Sequence, residues 1–592
     1  MENISSRLKE KIGAALKSAF ASALSSLPDG EQLLTPEVEQ STNAQFGHYQ
    51  CNNALKLAKA LKTSPREVAQ KILSHFNTKL EDGSPMVEKA EIAGAGFINF
   101  TLDPAFLSKE ADQMLRDSSL GVPHPPVKKR VVIDFSSPNV AKEMHVGHLR
   151  STIIGDSLAR LFEFLGHDVL RLNHIGDWGT QFGMLIVYMK DEVPAVLKGE
   201  QPAELSMLMD WYKKSKIRFD ADPDFKKRAQ QQVVLLQSGD PDSLKAWKMI
   251  CAISRKGFQE IYDLLDVKLI ERGESFYNPY LKPLVDDLTQ KGLITISDGA
   301  KCIFMDGFLT SEGEPLPMIV QKADGGYNYD TTDLASIKYR IEVEKADRLI
   351  YVIDSGQGLH CRMFFKAAEL AGYLDPKKVQ ADHVAFGVVL GADGKKFKTR
   401  SGETEKLIDL LREAIERAEK IIEERLPEIS KEEKDALASA LGIGAVKYSD
   451  LSCHRLKDYV FSYDRMLKFE GNTAAFLLYA YVRVQGIKRK VGKEIEKVVK
   501  NSRISLSHPS EIALALHLRQ FGETLEMIER ELLPNRLTEY LYSLADKFNA
   551  FFRDCRVEGT PEEDSRLLLC EASARILKTG LNILGLQTVE RM

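Results

Sequence analysis

The sequence predicts an α/β protein with three parts: a small α/β domain, a central domain built on a parallel β-sheet, and an all-helical C-terminal domain. Residues 131–135 and 168–172 have apolar strand patterns separated by a helical pattern, the order that defines a βαβ unit. A comparable order of strand, helix and strand recurs within residues 349–390. From residue 404 onward nearly every segment has helical periodicity.

Length and composition agree with several globular domains. At 592 residues the chain is too long for one hydrophobic core, and 44% hydrophobic with 28% charged residues excludes a mostly disordered protein. No apolar run approaches the ~20 residues that a membrane-spanning helix needs, so we expect no membrane partner. The 81 basic and 85 acidic residues give a net charge of −4, so any contact with nucleic acid must be local.

Cysteine usage indicates a reducing compartment. The seven cysteines lie far apart and form no Cys-x-x-Cys pair. An odd, scattered set argues against a disulfide framework and against a structural zinc site. We therefore expect a cytoplasmic protein without structural zinc.

The first domain is predicted to span residues 1–122. Residues 1–26 are amphipathic at helical spacing and carry acidic residues with a single arginine, which favours a folded helix over a targeting peptide. Residues 96–100 are strand-like. Three prolines within positions 123–126 favour extended chain and mark the boundary with the next domain.

The central domain is predicted to span residues 123–403. Its first strand, residues 131–135, is apolar on both faces, and the helix that follows ends at Gly166, which fits a C-cap. The strand at 168–172 is then expected to lie parallel to the first, with a right-handed crossover.

A second unit of the same kind is predicted later in the domain. We expect a strand at 349–353, a helix at 359–370 and a strand at 384–390. Between the units, residues of about 190–300 are mainly helical and form an insertion, followed by a hairpin at 301–320. Residues 404–592 complete the chain as a helical bundle.

The string His145-Val146-Gly147-His148 lies where the first strand meets its helix. A helix N-terminus offers unpaired N–H groups to an anion, and Gly147 has no side chain to block a ligand. Both imidazoles share one helical face and could donate to phosphate oxygens as charge develops. The alternative is a pair of helix-capping histidines with no ligand. No P-loop lysine motif and no GxGxxG follows the strand, which excludes P-loop hydrolases and dinucleotide-binding enzymes.

The second feature is a basic loop, residues 395–402, with four cations in six positions. In a parallel sheet this loop and the two histidines lie at the same carboxyl edge, where such folds bind ligands. The alternative is an ordinary solvated surface loop. Its expected position beside the two histidines favours instead a loop that covers a bound polyphosphate.

These strings resemble the HIGH and KMSKS signatures of class I aminoacyl-tRNA synthetases, and they are most similar to those of the arginyl-tRNA synthetase family. The resemblance runs from about residue 45 to the end and is closest to the eukaryotic cytosolic type. The other strings that carry it are residues 136–142, 148–152, 176–179, 327–333 and 589–592.

The resemblance implies a Rossmann-like catalytic domain split by the insertion, an N-terminal domain that touches the D-loop side of tRNA, and a helical anticodon-binding domain. It implies ATP-dependent ligation of L-arginine to its tRNA in cytosolic translation, with tRNA required for adenylate formation. ATP is expected as a substrate together with Mg²⁺. We expect a monomer, and association with other synthetases stays open.

The resemblance also assigns catalytic residues. His145, Gly147 and His148 form the HIGH-like element. The basic loop has Thr399 where the pattern has its second lysine, and Lys142 is expected to supply the missing cation. The remaining loop cations are Lys396, Lys398 and Arg400, among which the alignment leaves the roles open.

A guanidinium substrate demands planar acceptors that include a carboxylate. Tyr329 and Asp333, four residues apart, share one helical face, and Gln357 lies at the carboxyl end of a strand. The alternative is that Tyr329 is a core residue and Asp333 a surface acid, with no substrate between them. By resemblance these three form the arginine pocket, with further contacts from Ser137, Pro138, Asn139, His148 and, as a weaker candidate, Asp134.

The tRNA contacts are expected at both ends of the chain. Tyr479, Tyr481 and Arg483 could stack on unpaired anticodon bases, unless they belong to the core of the bundle. By resemblance the tRNA-binding set also includes Asp464, Asn472 and Met592 in the tail and Asn43 and Phe46 in the first domain.

Two other functional classes share part of this pattern. A cytidylyltransferase-type enzyme also carries HxGH on a parallel sheet, but it would not need the helical tail or the string around Tyr329 and Asp333. A non-catalytic tRNA-binding relative would have a broken site, whereas both histidines and the basic loop are intact.

Overall fold

The computed structural model describes residues 1–25, 27–391, 393–395, 397 and 406–592. Its architecture confirms the predicted fold class, with an N-terminal α/β domain, a parallel-sheet domain and a helical C-terminal domain. Within these ranges, no helix is both long and apolar enough to cross a membrane.

The N-terminal domain packs helices against an antiparallel sheet. Its helices are α1 (Ile4–Leu24), α2 (Gly30–Leu33), α3 (Asn53–Leu61), α4 (Pro65–His75) and α5 (Pro104–Arg116). Its strands are β1 (Val38–Gln40), β2 (Tyr49–Cys51), β3 (Val87–Ala93) and β4 (Phe97–Leu102), in the order β1-β2-β4-β3. The predicted opening helix is α1, which buries every fourth residue from Ile4 to Leu24.

The central domain is the parallel sheet with its helices. Its strands are β5 (Arg130–Asp134), β6 (Asp168–Asn173), β7 (Ile270–Glu271), β8 (Thr295–Ser297), β9 (Ala300–Ile303), β10 (Met318–Gln321), β11 (Arg348–Tyr351), β12 (Gln380–His383) and β13 (Val389–Leu390). Its helices are α6 (Val146–Phe164), α7 (Gln181–Glu192), α8 (Pro194–Lys198), α9 (Leu205–Ala221), α10 (Pro223–Gln237), α11 (Pro241–Leu264), α12 (Asn278–Gln290), α13 (Tyr329–Glu342) and α14 (Gly358–Leu370).

The predicted βαβ unit is confirmed as β5, α6 and β6. The sheet runs β12-β11-β5-β6-β7, and every neighbouring pair is parallel. Val131 and Ile133 of β5 belong to the core shared with α6 and the C-terminal helices, whereas Val132 packs with the helices of the opposite face. β5 is therefore buried on both faces, as its apolar run predicted.

The extent of the insertion was predicted wrongly. The helices α7 to α11 follow β6, but the chain returns to the sheet at Ile270, where β7 pairs with β6. Two sheet residues are too few to give a strand pattern in the sequence. The predicted hairpin is present as β9 and β10, and β8 extends it to an antiparallel sheet.

The last strand of the second unit was also placed wrongly. β12 spans Gln380–His383, whereas the predicted strand at 384–390 contributes only β13, which pairs with the C-terminal domain. β12 is an edge strand and three of its four residues are polar, so an apolar pattern could not reveal it. Beyond β12 the chain leaves the sheet, since the N–H of Gly387 donates to the carbonyl of Arg455.

The C-terminal domain is the predicted helical bundle. Its helices are α15 (Leu407–Arg425), α16 (Lys431–Leu451), α17 (Tyr463–Met466), α18 (Ala474–Val491), α19 (Ile495–Asn501), α20 (Pro509–Arg519), α21 (Phe521–Glu531), α22 (Asn535–Asp554) and α23 (Glu563–Ile583). A short strand, β14 (Tyr459–Val460), pairs with β13.

Buried ion pairs join the three domains. Arg519 of α20 pairs with Glu110 of α5 at 3.0 Å. Arg150 of α6 pairs with Asp450 of α16 at 3.1 Å, and both side chains are fully buried. Arg150 also donates to the carbonyl of Gly387 at 2.8 Å. The helix that begins with the two histidines is thus tied to the bundle and to the chain leading into the basic loop.

Candidate active site

The two histidines at the start of α6 cap the helix and face one another. His145 is the N-cap, and its Nδ1 accepts from the N–H of Gly147 at 3.1 Å. The N–H of His145 donates to Nδ1 of His148 at 3.1 Å. Because each Nδ1 is an acceptor, each neutral ring carries its proton on Nε2. Capping and ligand binding use different nitrogens, so the capping alternative does not exclude a ligand.

The surroundings of His148 keep its ring neutral. Burial, together with His145 and Lys142, lowers the pKa of His148 to about 3. A neutral ring with its proton on Nε2 is a hydrogen-bond donor that carries no charge of its own. Such a donor can stabilise negative charge that develops on a phosphate.

Gly147 has a packing role that the sequence did not indicate. A Cβ at this position would lie 2.9 Å from Cε1 of His145. The glycine therefore allows the two rings to approach to 4.1 Å between centroids. The sequence predicts only that the missing side chain leaves room for a ligand.

The turn after β5 holds backbone in the left-handed region. Ser136, Ser137 and Ala141 have φ angles of 74°, 47° and 61°. Such conformations are costly for residues with side chains and persist where the surroundings impose them. The N–H groups of these residues donate to Ser151 Oγ, Asn173 Oδ1 and Ser254 Oγ at 2.9–3.0 Å.

The same turn runs beside the segment after β6. Asn139 and Gly176 form a parallel bridge, and the N–H of Val140 donates to the carbonyl of Gly176 at 3.1 Å. A Cβ on Gly176 would lie 2.1 Å from Oδ1 of Asn139, so a larger residue there would displace the Asn139 side chain. Pro138 is buried there, whereas Asn139 is exposed and Ser137 half-buried.

Three of the predicted arginine-pocket residues lie at the start of α13 or just before α14. Tyr329 and Asp333 lie one turn apart on α13, as predicted, and Tyr329 is 59% exposed. Asp333 accepts a 2.6 Å hydrogen bond from His360 of α14. Gln357 is exposed in the 3-10 turn that precedes α14. A carboxylate and a phenol thus share the start of α13, and the amide of Gln357 lies in the turn just before α14.

Asp134 has other partners than the predicted substrate. Its carboxylate accepts from Ser137 Oγ at 2.9 Å and from Arg340 Nη2 at 2.7 Å. Arg340 and Asp134 are both nearly buried. The ion pair with Arg340 already balances the charge of Asp134, so the structure does not support a direct contact between Asp134 and the guanidinium of the arginine substrate.

Two polar residues near Asp333 were missed by the sequence analysis. Glu274 lies in the 3-10 turn after β7, and burial, followed by the charges of Asp333 and Asp177, raises its pKa to about 8. No motif surrounds Glu274, so nothing in the sequence pointed to it. His360, in contrast, lies three residues after Gln357 and could have been found by the same argument.

The basic loop is described only at its ends. Lys396, Lys398, Thr399 and Arg400 lie outside the described residues. Between Lys396 and Lys398, the N–H of Phe397 donates to the carbonyl of Val389 at 3.1 Å. Beyond them, the N–H of Leu407 donates to the carbonyl of Met144 at 3.0 Å, one residue before His145.

Lys142 is exposed near the same turn. Its ammonium group lies 6.0 Å from the ring centre of Tyr212, on α9 of the insertion. Its charge is one of the causes that lower the pKa of His148. Lys142 is therefore close to the HIGH-like element, where the resemblance assigned it.

The candidate anticodon contacts differ sharply in exposure. Tyr479 is 39% exposed, and the guanidinium of Arg483 lies 5.0 Å from its ring centre. Tyr481 is only 3% exposed and belongs to the core of the bundle. A role for Tyr481 in stacking on bases is therefore wrong, because its ring faces away from solvent.

The remaining predicted tRNA contacts lie at separate places on the surface. Asn43 and Asp464 are exposed, and Phe46 is 46% exposed. Asn472 accepts a 2.5 Å hydrogen bond from the hydroxyl of Tyr448. Met592 packs against the main core and is half-buried.

In the described part of the chain, no cluster of three or more His, Cys, Asp or Glu side chains is arranged to hold a metal ion. All seven cysteines carry free thiols.

Family models match nearly the whole chain. Residues 6–102 match the arginyl-tRNA synthetase N-terminal domain, residues 110–463 match the catalytic domain of class I (R) tRNA synthetases, and residues 477–592 match the DALR anticodon binding domain.

Curated relatives are similar over the same length. An arginine–tRNA ligase of Protochlamydia amoebophila is 61% identical and covers 97% of this chain and 98% of its own. One from Nostoc sp. PCC 7120 is 51% identical, with 99% of both chains covered. These relatives are bacterial, so the expected eukaryotic type is not supported.

Solved structures share the fold. An arginyl-tRNA synthetase of Plasmodium falciparum superposes with a TM-score of 0.87 at 34% identity, covering 100% of both chains. The Thermus thermophilus enzyme reaches a TM-score of 0.80 at 24% identity with the same coverage, which shows a common fold.

Proposed function

This chain belongs to the class I arginyl-tRNA synthetase family, and we propose that it is an arginine–tRNA ligase that activates L-arginine with ATP and transfers it to the terminal adenosine of its tRNA. The observation that carries this proposal is the placement of two chemistries at one sheet edge. Neutral Nε2–H donors of His145 and His148 suit a phosphate, and the carboxylate of Asp333 suits a guanidinium.

The proposed reaction needs no nucleophile from the protein. The arginine carboxylate attacks the α-phosphorus of ATP, the new C–O–P bond forms, and pyrophosphate leaves. Catalysis then consists of positioning both substrates and stabilising the phosphate charge. His148 acts as a donor to that phosphate, and Lys142 and the basic loop supply positive charge.

The substrate pocket is assigned to Tyr329, Asp333 and Gln357, with Ser137, Pro138 and Asn139 near the α-amino group. Support comes from their positions in the fold: residues 137–139 follow β5, Tyr329 and Asp333 lie in the first turns of α13, and Gln357 precedes α14. Glu274 is added as a second carboxyl near Asp333.

Mg²⁺ accompanies ATP in this proposal. The described residues around His145 and His148 include no carboxylate cluster that could cage the ion. We therefore assign its coordination mainly to the phosphates of ATP and to water, which suits an ion that retains several waters.

The domains are assigned accordingly. Residues 1–122 contact the D-loop side of tRNA, residues 123–403 hold the reaction, and residues 404–592 bind the anticodon. The enzyme acts as a monomer in cytoplasmic translation.

The test is exchange of labelled pyrophosphate into ATP, measured for each of the twenty amino acids with and without total tRNA. Exchange is expected with arginine and to depend on added tRNA. Exchange with a different amino acid, or failure to form arginyl-tRNA, would contradict the proposed function.

A further inference from the structure

His360 lies between two carboxylates of the neighbouring helix. It is in the first turn of α14, and its Nε2 is 2.6 Å from Oδ2 of Asp333. Its Nδ1 is 3.1 Å from Oδ1 of Asp330. The ring also meets the ring of Tyr329 edge-on, with 5.0 Å between centroids. One imidazole therefore contacts three side chains of the first turns of α13, two of which are assigned to the arginine pocket.

The imidazole ring donates a hydrogen bond to each of the two carboxylates, Asp330 and Asp333. A carboxylate accepts hydrogen bonds, so contacts through both ring nitrogens require an imidazolium. Burial opposes the charge, but the hydrogen bonds to Asp330 and Asp333 raise the pKa of His360 to about 9. The ring is therefore charged at neutral pH.

Other titratable groups surround this trio. His174, after β6, places its Nε2 3.9 Å from Oδ1 of Asp333, and burial lowers its pKa. Glu274 approaches Asp333 from the turn after β7. Asp333 thus stands among acidic neighbours, and His360 is the cation that holds one of its two oxygens.

We infer that His360 is a positioning residue for arginine: it fixes the carboxylate of Asp333 through Oδ2, so that Oδ1 is presented to the incoming guanidinium. This inference rests on the proposed function and deepens it. A hydrogen bond from a guanidinium to Oδ1 depends on the orientation of the carboxylate plane, and a carboxylate held by a short charge-assisted bond keeps that orientation. Asp330 anchors the other side of the ring and prevents it from turning away.

Two conservative variants separate the contacts of His360. The amide of His360→Gln can reach the position of Nε2 and keep the bond to Asp333, whereas that of His360→Asn reaches only the position of Nδ1, toward Asp330. We expect His360→Gln to keep the arginine KM within about threefold of the parent. His360→Asn should raise it by roughly tenfold or more, the scale of one charge-assisted hydrogen bond, with the ATP KM within about twofold. Equal effects of both variants would overturn the inference.

A double-mutant cycle tests whether His360 acts through Asp333. His360→Ala should raise the arginine KM in the parent but change it by less than about threefold in the Asp333→Asn background, because the bond is then already altered. Additive effects would overturn the inference. Thermal unfolding of every variant and an exposed control, His75→Gln, separate these effects from misfolding.

The outcomes also separate this inference from the proposed function. If the unmodified enzyme does not activate arginine, the proposed function is contradicted. If it activates arginine but the cycle is additive or His360→Gln behaves like His360→Asn, only the role of His360 fails.

Discussion

The backbone N–H of His145 donates to Nδ1 of His148, and this contact assigns the proton of the second ring to Nε2. Each imidazole thereby uses one nitrogen for the helix and keeps the other for a ligand. The arrangement converts a helix cap into a pair of oriented neutral donors at the edge of the sheet.

Substitution of His148 should therefore affect the reaction more than the fold. We expect His148→Ala to lower arginine activation by roughly 10²–10³, the scale of one preorganised transition-state donor. Pyrophosphate exchange at saturating substrates measures this. His148→Gln can place a hydrogen-bond donor near the position of Nε2, so it should lose less activity than His148→Asn. Activity of His148→Ala within threefold of the parent would reject the phosphate role.

Asp333→Asn should weaken the binding of arginine and leave the binding of ATP nearly unaffected. Loss of a charge-assisted pair costs about 1.5–3 kcal/mol, and only arginine carries the matching cation. Separate KM measurements for the two substrates check this, and citrulline, which is planar but uncharged, should be rejected by the parent. A matching rise in both KM values would indicate general damage instead.

Tyr479 and Tyr481 should respond to alanine in opposite ways. Tyr479→Ala removes an exposed ring and is expected to weaken tRNA binding by about 1–3 kcal/mol, with little change in Tm. Tyr481→Ala empties a core position and should lower Tm. Filter binding to arginine tRNA and thermal unfolding measure the two effects. Unchanged tRNA affinity of Tyr479→Ala would remove that residue from the interface.

The buried pair between α6 and α16 should be important for stability. Asp450→Asn leaves the Arg150 guanidinium buried without its counter-charge, and breaking such a pair costs about 3–5 kcal/mol. A lower Tm of the catalytic and C-terminal domains is expected. The exposed pair of Asp464 and Arg417 offers a control, since Asp464→Asn should change Tm very little.

The charge on His360 predicts a pH dependence of stability. Its pKa in the folded protein, about 9, lies above the ordinary value of 6.5, so the folded state holds the proton more tightly. This contribution is complete below pH 6.5 and is lost as pH rises through 9. The Tm difference between the parent and His360→Gln should therefore be largest near pH 6 and shrink toward pH 9.5. A difference independent of pH would mean that the ring is uncharged.

The sequence by itself determined the features that depend on local pattern. The apolar run of β5, the periodic helix after it and the return to β6 define a parallel unit without any distant information. That order also places His145 and His148 at the carboxyl edge, because a helix that follows a parallel strand begins there. The shared face of Tyr329 and Asp333 follows from helical spacing alone.

The tertiary structure decided whatever depends on contacts between distant segments. Asp134 pairs with Arg340, 206 positions away, and so contributes to the fold, whereas the family resemblance implies it as a weaker candidate for a substrate contact. β7 and β12 are too short or too polar to have a pattern of their own, and only their neighbours in the sheet define them. Tyr479 and Tyr481 are two tyrosines two positions apart on α18, and the packing of α18 on the bundle decides which of them reaches solvent. Helical periodicity alone cannot tell which face of a helix will pack against a partner.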